Sequence, residues 1–151
     1  MKRTIVIVQA RYASTRLPGK VLLDLNGHTV LSRVLERCQG IKGADTVCCA
    51  VSDTTDSDPV AIEAERCGVS VVRGPESDVL SRYYLAAREM QADVILRVTS
   101  DCPLLDPNVC SNVLRLQELT RAGYAANNLV STWPHGLDCD AFRFYWLERA
   151  Y

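Results

Sequence analysis

The sequence predicts a three-layer α/β/α sandwich built on a mostly parallel sheet. From residue 4 onward, strand-length apolar runs rich in Ile and Val alternate with stretches of helical period, the pattern of successive βαβ units. The intervening helices are long enough for right-handed crossovers between parallel strands. At 151 residues, 48% of them hydrophobic, the chain has the size of a single domain (1–151) with its own core.

Thr4 to Ala10 is a continuous apolar run, as expected for a strand covered on both faces. Val30 to Cys38 carries apolar residues at 30, 31, 34, 35 and 38, one helical stripe. Asp45 to Val51 reads as the second strand. Asp56-Ser57-Asp58-Pro59 reads as a helix start, with Asp58 as an acidic cap and Pro in the first turn. That helix runs to Cys67 and stops at Gly68. Val69 to Val72 is a third strand, Asp78 to Met90 a third helix and Val94 to Val98 a fourth strand. Asp106-Pro107 opens a fourth helix that reaches about Ala122 and is ended by Gly123.

The segment 124–151 reads differently. Tyr124 to Asn127 is a short strand, Thr132 to Gly136 a loop, Phe142 to Phe144 a strand, and Tyr145 to Tyr151 an amphipathic helix. Six of the ten aromatic residues fall in the last nineteen positions. Either this segment packs back onto the core or it offers an apolar surface to a second subunit. A homodimer or higher homo-oligomer is therefore expected.

Charge and cysteines exclude several classes. With 17 basic residues against 18 acidic ones and a net charge of -1, bulk electrostatic binding of nucleic acid is excluded. No apolar run approaches a membrane span. Lys2-Arg3 followed by an apolar stretch imitates a leader, but the stretch is short and Arg11 interrupts it, so it reads as a strand. The seven cysteines contain no C-x-x-C pair, and the two histidines, His28 and His135, lie away from any cysteine pair. They read as buried, reduced thiols of a cytoplasmic protein rather than a zinc site.

The loop after the first strand, Gln9-Ala-Arg-Tyr-Ala-Ser-Thr-Arg-Leu-Pro-Gly-Lys20, is the most informative stretch. It lies at the carboxyl end of a parallel sheet, where open α/β folds bind ligands. Arg11, Arg16 and Lys20 fall within ten residues, interleaved with Ser14, Thr15 and Gly19. Arginine forks, a compact Lys charge and turn N–H groups together suit phosphate oxygens; the plain alternative is a solvated basic loop. Neither G-x-x-x-x-G-K-[ST] nor G-x-G-x-x-G occurs.

The stretch Ala10 to Lys20 resembles the signature of the sugar-acid cytidylyltransferases, the superfamily of CMP-Kdo and CMP-sialic acid synthetases. Arg73 to Tyr84, Leu96 to Pro107 and Gly136 to Phe142 resemble its SpsF branch of spore-coat polysaccharide synthesis. The resemblance implies a nucleotide-diphospho-sugar transferase fold, Rossmann-like in outline. It also implies coupling of CTP to a small acidic sugar, giving a CMP-sugar and pyrophosphate with Mg²⁺. By likeness, Arg11, Arg16 and Lys20 hold the triphosphate, and the Ala10 backbone lies near the nucleotide. Arg73 lies near base and substrate, and Asp101 is the Mg²⁺ ligand. Arg11, Lys20 and Asp101 are the implied catalytic set. Members of the family are longer and carry a later acidic segment supplying a second metal ligand. By that comparison the chain is expected either to be a shortened form or fragment of the longer family fold, with one carboxylate holding Mg²⁺ too loosely for turnover, or to have its site completed by a partner subunit. Ser-Asp-Cys-Pro stands where the Kdo branch reads Gly-Asp-Glu-Pro, which points away from Kdo itself.

Read from the residues alone, Asp101 suits Mg²⁺ as a hard oxygen ligand beside the anion loop, or is a turn aspartate. Asp53, Asp56 and Asp58 read as cap and turn residues. Asp138-Cys-Asp140 is either a substrate-side loop, with His135 touching a sugar carboxylate, or a metal-chelating pair. The latter would make the protein a GT-A-type glycosyltransferase using a nucleotide-sugar donor. A third alternative is a non-catalytic oligomeric binding module.

Overall fold

The computed structural model describes residues 2–130 and 132–151. Its strands are β1 (Thr4–Ala10), β2 (Thr46–Ser52), β3 (Ser70–Gly74), β4 (Val94–Thr99), β5 (Tyr124–Ala126) and β6 (Asp140–Arg143). The helices are α1 (Val30–Gln39), α2 (Asp58–Arg66), α3 (Val79–Glu89), α4 (Pro107–Thr120) and α5 (Phe144–Ala150), with 3₁₀ turns at Lys20–Leu22 and Thr55–Ser57. One sheet runs in the order β3-β2-β1-β4-β6-β5. Its first four strands are parallel, while β6 is antiparallel to both β4 and β5.

The uninterrupted apolar run of β1 has a simple cause. Val6, Val8 and Ala10 face the core packed with Leu31, Val34 and Leu35 of α1 and Cys110 of α4. Ile5 and Ile7 face the opposite core, with Tyr83 and Ala86 of α3 and Leu147 of α5. Helices thus cover both faces of the central strand, as the α/β/α expectation required.

Helix starts follow ordinary chemistry at Thr29, Asp78 and Asp106. Their side chains accept from the backbone N–H of Ser32 (3.0 Å), Ser81 (2.9 Å) and Asn108 (2.7 Å). Three local expectations are corrected. Ser57 precedes α2 and makes no capping bond, while Asp58 is the first helical residue and its carboxylate takes a 2.7 Å bond from Arg73. Arg121, in left-handed backbone (φ 53), ends α4; Gly123 instead makes room for the Trp146 indole, which a Cβ there would strike. The last strand starts at Asp140, and Phe144 opens α5 because its ring stacks on Tyr84 of α3.

The connections place the site. From β1 the chain winds outward through β2 to β3, then crosses back so that β4 lies on the other side of β1. The carboxyl ends of β1 and β4 therefore diverge into a crevice, the position where such sheets bind ligands.

Candidate active site

The crevice is built on the loop leaving β1. Leu17-Pro18-Gly19-Lys20 closes as a type II turn, with Lys20 N–H donating to the Leu17 carbonyl (3.3 Å) and Gly19 at φ 68. Gly19 N–H also donates to the Tyr12 carbonyl (2.9 Å), which ties the loop ends together. A Cβ on Gly19 would lie 2.8 Å from the Tyr12 ring, so the position needs glycine twice over. The turn delivers Lys20 to Asp101, which follows β4, and the two meet at 2.6 Å. Burial pushes the Asp101 carboxyl up, but hydrogen bonds from Lys20 and Thr99 and the Lys20 charge outweigh it, and the net shift is downward. Asp101 stays ionised.

Three cavities lie along this loop. The middle one, about 220 Å³, is lined by Arg11, Ser14, Thr15, Arg16, Lys20 and Asp101. On one side, a cavity of about 490 Å³ shares Arg11, Ser14 and Thr15 and adds Tyr12, Glu76 and Ser77. On the other, a cavity of about 530 Å³ shares Arg16 and Asp101 and adds Arg97, His135, Asp138 and Asp140. The cations of the anion loop and Asp101 are thus brought together around one cavity.

Other expected site residues fall elsewhere or carry other partners. Ala10 is the buried last residue of β1, in register with Val51. Arg73 lies on the edge strand β3 and is tied to Asp58 (2.7 Å) and the Ser52 carbonyl (3.3 Å), outside all three cavities. Asp140 is buried and accepts from the Tyr124 hydroxyl (2.6 Å) while pairing with Arg97 (3.4 Å). Both of its oxygens are engaged, which leaves the D-x-D pair only the half-buried Asp138, itself 3.5 Å from His135. Among the described residues no group of three or more His, Cys, Asp or Glu side chains is arranged to hold a metal. Asp101 nevertheless fits a divalent cation as a single, half-exposed carboxylate facing a cationic cavity, a donor type that Mg²⁺ combines with water and phosphate.

Sequence reading missed Arg97 and Glu76, each of which lines a cavity on this loop. Arg97 had a signal: it is a lone charge inside an apolar strand run, and on β4 it pairs with buried Asp140. Glu76 had none, since a surface loop tolerates charges.

A family signature described as cytidylyltransferase matches residues 5–132. The chain belongs to the cytidylyltransferase family. A cytidylyltransferase structure from Leptospira borgpetersenii is 32% identical, superposes with a TM-score of 0.94, and is matched over 99% of this chain and 63% of that one. The 3-deoxy-manno-octulosonate cytidylyltransferase of Anaeromyxobacter sp. is 34% identical over 78% of this chain and 48% of its own. The spore coat polysaccharide biosynthesis protein SpsF of Bacillus subtilis is 34% identical over 72% and 47%. A CTP-complexed CMP-2-keto-3-deoxy-manno-octonic acid synthetase, 19% identical, shares the fold at a TM-score of 0.81, over 99% of this chain and 77% of that one. The chain spans about half the length of these two curated relatives. No described helix of this cytidylyltransferase-family chain is long and apolar enough to cross a membrane. All seven cysteines are free thiols, five buried and two, Cys67 and Cys102, half-buried.

Proposed function

We propose that the protein transfers a cytidylyl group from CTP to a small acidic sugar, releasing pyrophosphate, in cytoplasmic synthesis of a surface polysaccharide precursor. The observation that carries this reading is the line of three cavities threaded on one cationic loop. A nucleoside triphosphate needs a base compartment, a cationic middle and an acceptor compartment in that order.

In this reading Arg11, Arg16 and Lys20 bind the triphosphate in the central cavity. Arg97, held by Asp140, and His135 face the acceptor and suit a sugar carboxylate. The acceptor hydroxyl attacks the α-phosphorus as the bond to the β-phosphoryl oxygen breaks, and the hydroxyl proton passes to water. The fixed cations neutralise charge growing on the pyrophosphate leaving group. Asp101 would hold Mg²⁺, which when bound supplies further charge neutralisation at the phosphates. Released from Asp101, Lys20 is free to turn to the phosphates. The half-exposed Tyr145 and Trp146 face of α5 is the surface for a second copy; a monomer in sedimentation at working concentration would remove that part.

Thermal denaturation with CTP, UTP, ATP and GTP, each with and without Mg²⁺, tests the core of the reading, because ligands of the folded state raise stability by mass action. A selective, Mg²⁺-dependent shift with CTP is expected, followed by pyrophosphate release with sugar acids. No shift with any nucleotide would sink it.

A further inference from the structure

Ser57 stands where a serine usually caps a helix, directly before α2, yet its side chain makes no capping bond. Its hydroxyl turns instead to the loop leaving β1, where Tyr12 N–H donates to Ser57 Oγ at 3.2 Å. Ser57 is fully buried, and so is Ser52, the last residue of β2, whose Oγ lies 2.6 Å away. Ser52 Oγ is in turn 2.8 Å from Thr54 Oγ1, which donates to Asp56 Oδ1 at 2.5 Å. The competing contacts, Thr54 to Ser57 and Ser57 to Asp56, are both longer at 3.4 Å. The direction of every bond follows from the two ends of the series. A backbone N–H can only donate and a carboxylate can only accept. Each hydroxyl has one proton, and that of Thr54 goes to Asp56. The Ser52 proton then fills the contact with Thr54, and the Ser57 proton fills the contact with Ser52, which leaves Ser57 Oγ to accept from Tyr12. Four hydrogen bonds therefore run one way, from the anion loop to a carboxylate, and bonds aligned in series polarise one another.

The residue held by this series is the hub of the loop. The Tyr12 carbonyl accepts from Gly19 N–H at 2.9 Å and closes the loop, while the Tyr12 ring fills the space beside Gly19. The Tyr12 N–H ties the closed loop to the segment between β2 and α2. Arg11 directly precedes Tyr12, Ser14 lies two residues beyond it, and both line the central cavity. Tyr12 and Asp56, the two ends of the series, line the neighbouring cavity, and Ser52 and Ser57 are buried behind them. With both serines closed off from solvent, a lost hydroxyl leaves its neighbours without a partner. We infer that Ser57 and Ser52 are positioning residues for nucleotide binding: through Tyr12 they hold the anion loop in the shape that sets Arg11 against the phosphates, and Asp56 anchors the far end. This rests on the cytidylyl-transfer reading, in which the loop binds the triphosphate, and extends it to residues that touch no substrate. A loop fixed beforehand loses less freedom when its ligand arrives.

The test compares the wild type with Ser57→Ala, Asp56→Ala and Ser111→Ala by CTP titration, melting curves and amide hydrogen exchange at Tyr12. Ser111 is the matched control: its hydroxyl also accepts a loop N–H, that of Lys42 at 2.9 Å, but at the amino edge of the sheet. Ser57→Ala is expected to speed exchange at Tyr12 and to weaken CTP binding by about threefold to tenfold, the scale of one net hydrogen bond. Asp56 is exposed, so Asp56→Ala should fold and move both readouts the same way by less. Ser111→Ala should lower the melting temperature and leave CTP affinity and Tyr12 exchange alone. A wild type whose Tyr12 amide exchanges like an unprotected one overturns the series itself, whatever binds. A wild type that binds CTP, with a folded Ser57→Ala variant of equal affinity, overturns the positioning role alone. Should Ser57→Ala not fold, unchanged exchange and affinity in Asp56→Ala overturn that role. So does a Ser111→Ala variant that weakens CTP as much as Ser57→Ala, since a general loss of stability then explains both. A wild type that binds no nucleotide overturns the cytidylyl-transfer reading and this proposal with it.

Discussion

Lys20 and Asp101, 81 residues apart in sequence, join their side chains at 2.6 Å across the crevice where β1 and β4 diverge. Their side chains are 29% and 41% exposed, so the pair contributes only about 0–1 kcal/mol to stability. Its value lies in placing a cation and a carboxylate at one point between two cavities.

Lys20→Ala is therefore expected to leave the melting temperature almost unchanged while weakening CTP binding by about 1.5–3 kcal/mol, the worth of a charged hydrogen bond. Calorimetric titration and a melting curve on the same variant separate the two effects. A large drop in melting temperature with intact CTP affinity would mean that the pair is architectural.

Tyr124→Phe removes the 2.6 Å donor from the buried Asp140 carboxylate. The cost expected is about 1–3 kcal/mol, the penalty of leaving a buried acceptor unmet, read by denaturant unfolding. Burial and the Asp140 hydrogen bond and charge push the Tyr124 hydroxyl up to about 12. Because Asp140 also holds Arg97, the variant should bind the acceptor sugar less well while CTP affinity holds.

Alkaline conditions should destabilise the fold. Burial pushes the Cys48 thiol up to about 12 and drives Cys38, Cys49 and the Tyr83 hydroxyl higher still. In the unfolded chain thiols ionise near 8.5 and tyrosines near 10. Groups raised in the folded state give stability that is fully present below those unfolded values and is lost as pH rises toward the folded ones. Unfolding free energy should fall between pH 8 and 11, and Cys48→Ala should flatten part of that fall. A pH-independent midpoint over this range would contradict the burial described for these thiols.

Gly74→Ala puts a Cβ 2.9 Å from Arg82 Cγ and 3.2 Å from Leu85 Cδ1. Overpacking of this kind typically costs about 1–3 kcal/mol, and here it displaces Arg82. A lower denaturant midpoint is the expected result. A midpoint equal to that of the wild type would contradict the close approach of Gly74 and Arg82.

Much of this fold could be read from periodicity, because β1 and β4 are covered on both faces and α1 carries one clean stripe. The anion loop was equally legible: Leu-Pro-Gly-Lys encodes its own turn, and three cations cannot all be hidden. What failed were boundaries set by a distant partner. Gly123 looks like a helix stop, but its lack of a side chain serves Trp146, 23 residues later; Asp58 looks like a cap, but Arg73 takes its carboxylate. Phe144 is apolar enough for a strand and becomes helical through its stack with Tyr84. The site shows the same division. Arg11, Arg16 and Lys20 announce themselves locally, whereas Arg97 and Glu76 gain meaning only once the fold shows which distant charges line a cavity on the same loop.

The antiparallel strand β6 has one more consequence. Running antiparallel to β4, it enters the sheet at the end where β1 and β4 leave it, with Asp140 opposite Arg97. Asp138 and Asp140 therefore reach the crevice from residues that lead into a strand, while Arg11 and Lys20 reach it from residues that follow one. A parallel strand in the same place would have carried the residues that lead into it to the opposite edge of the sheet, away from the anion loop.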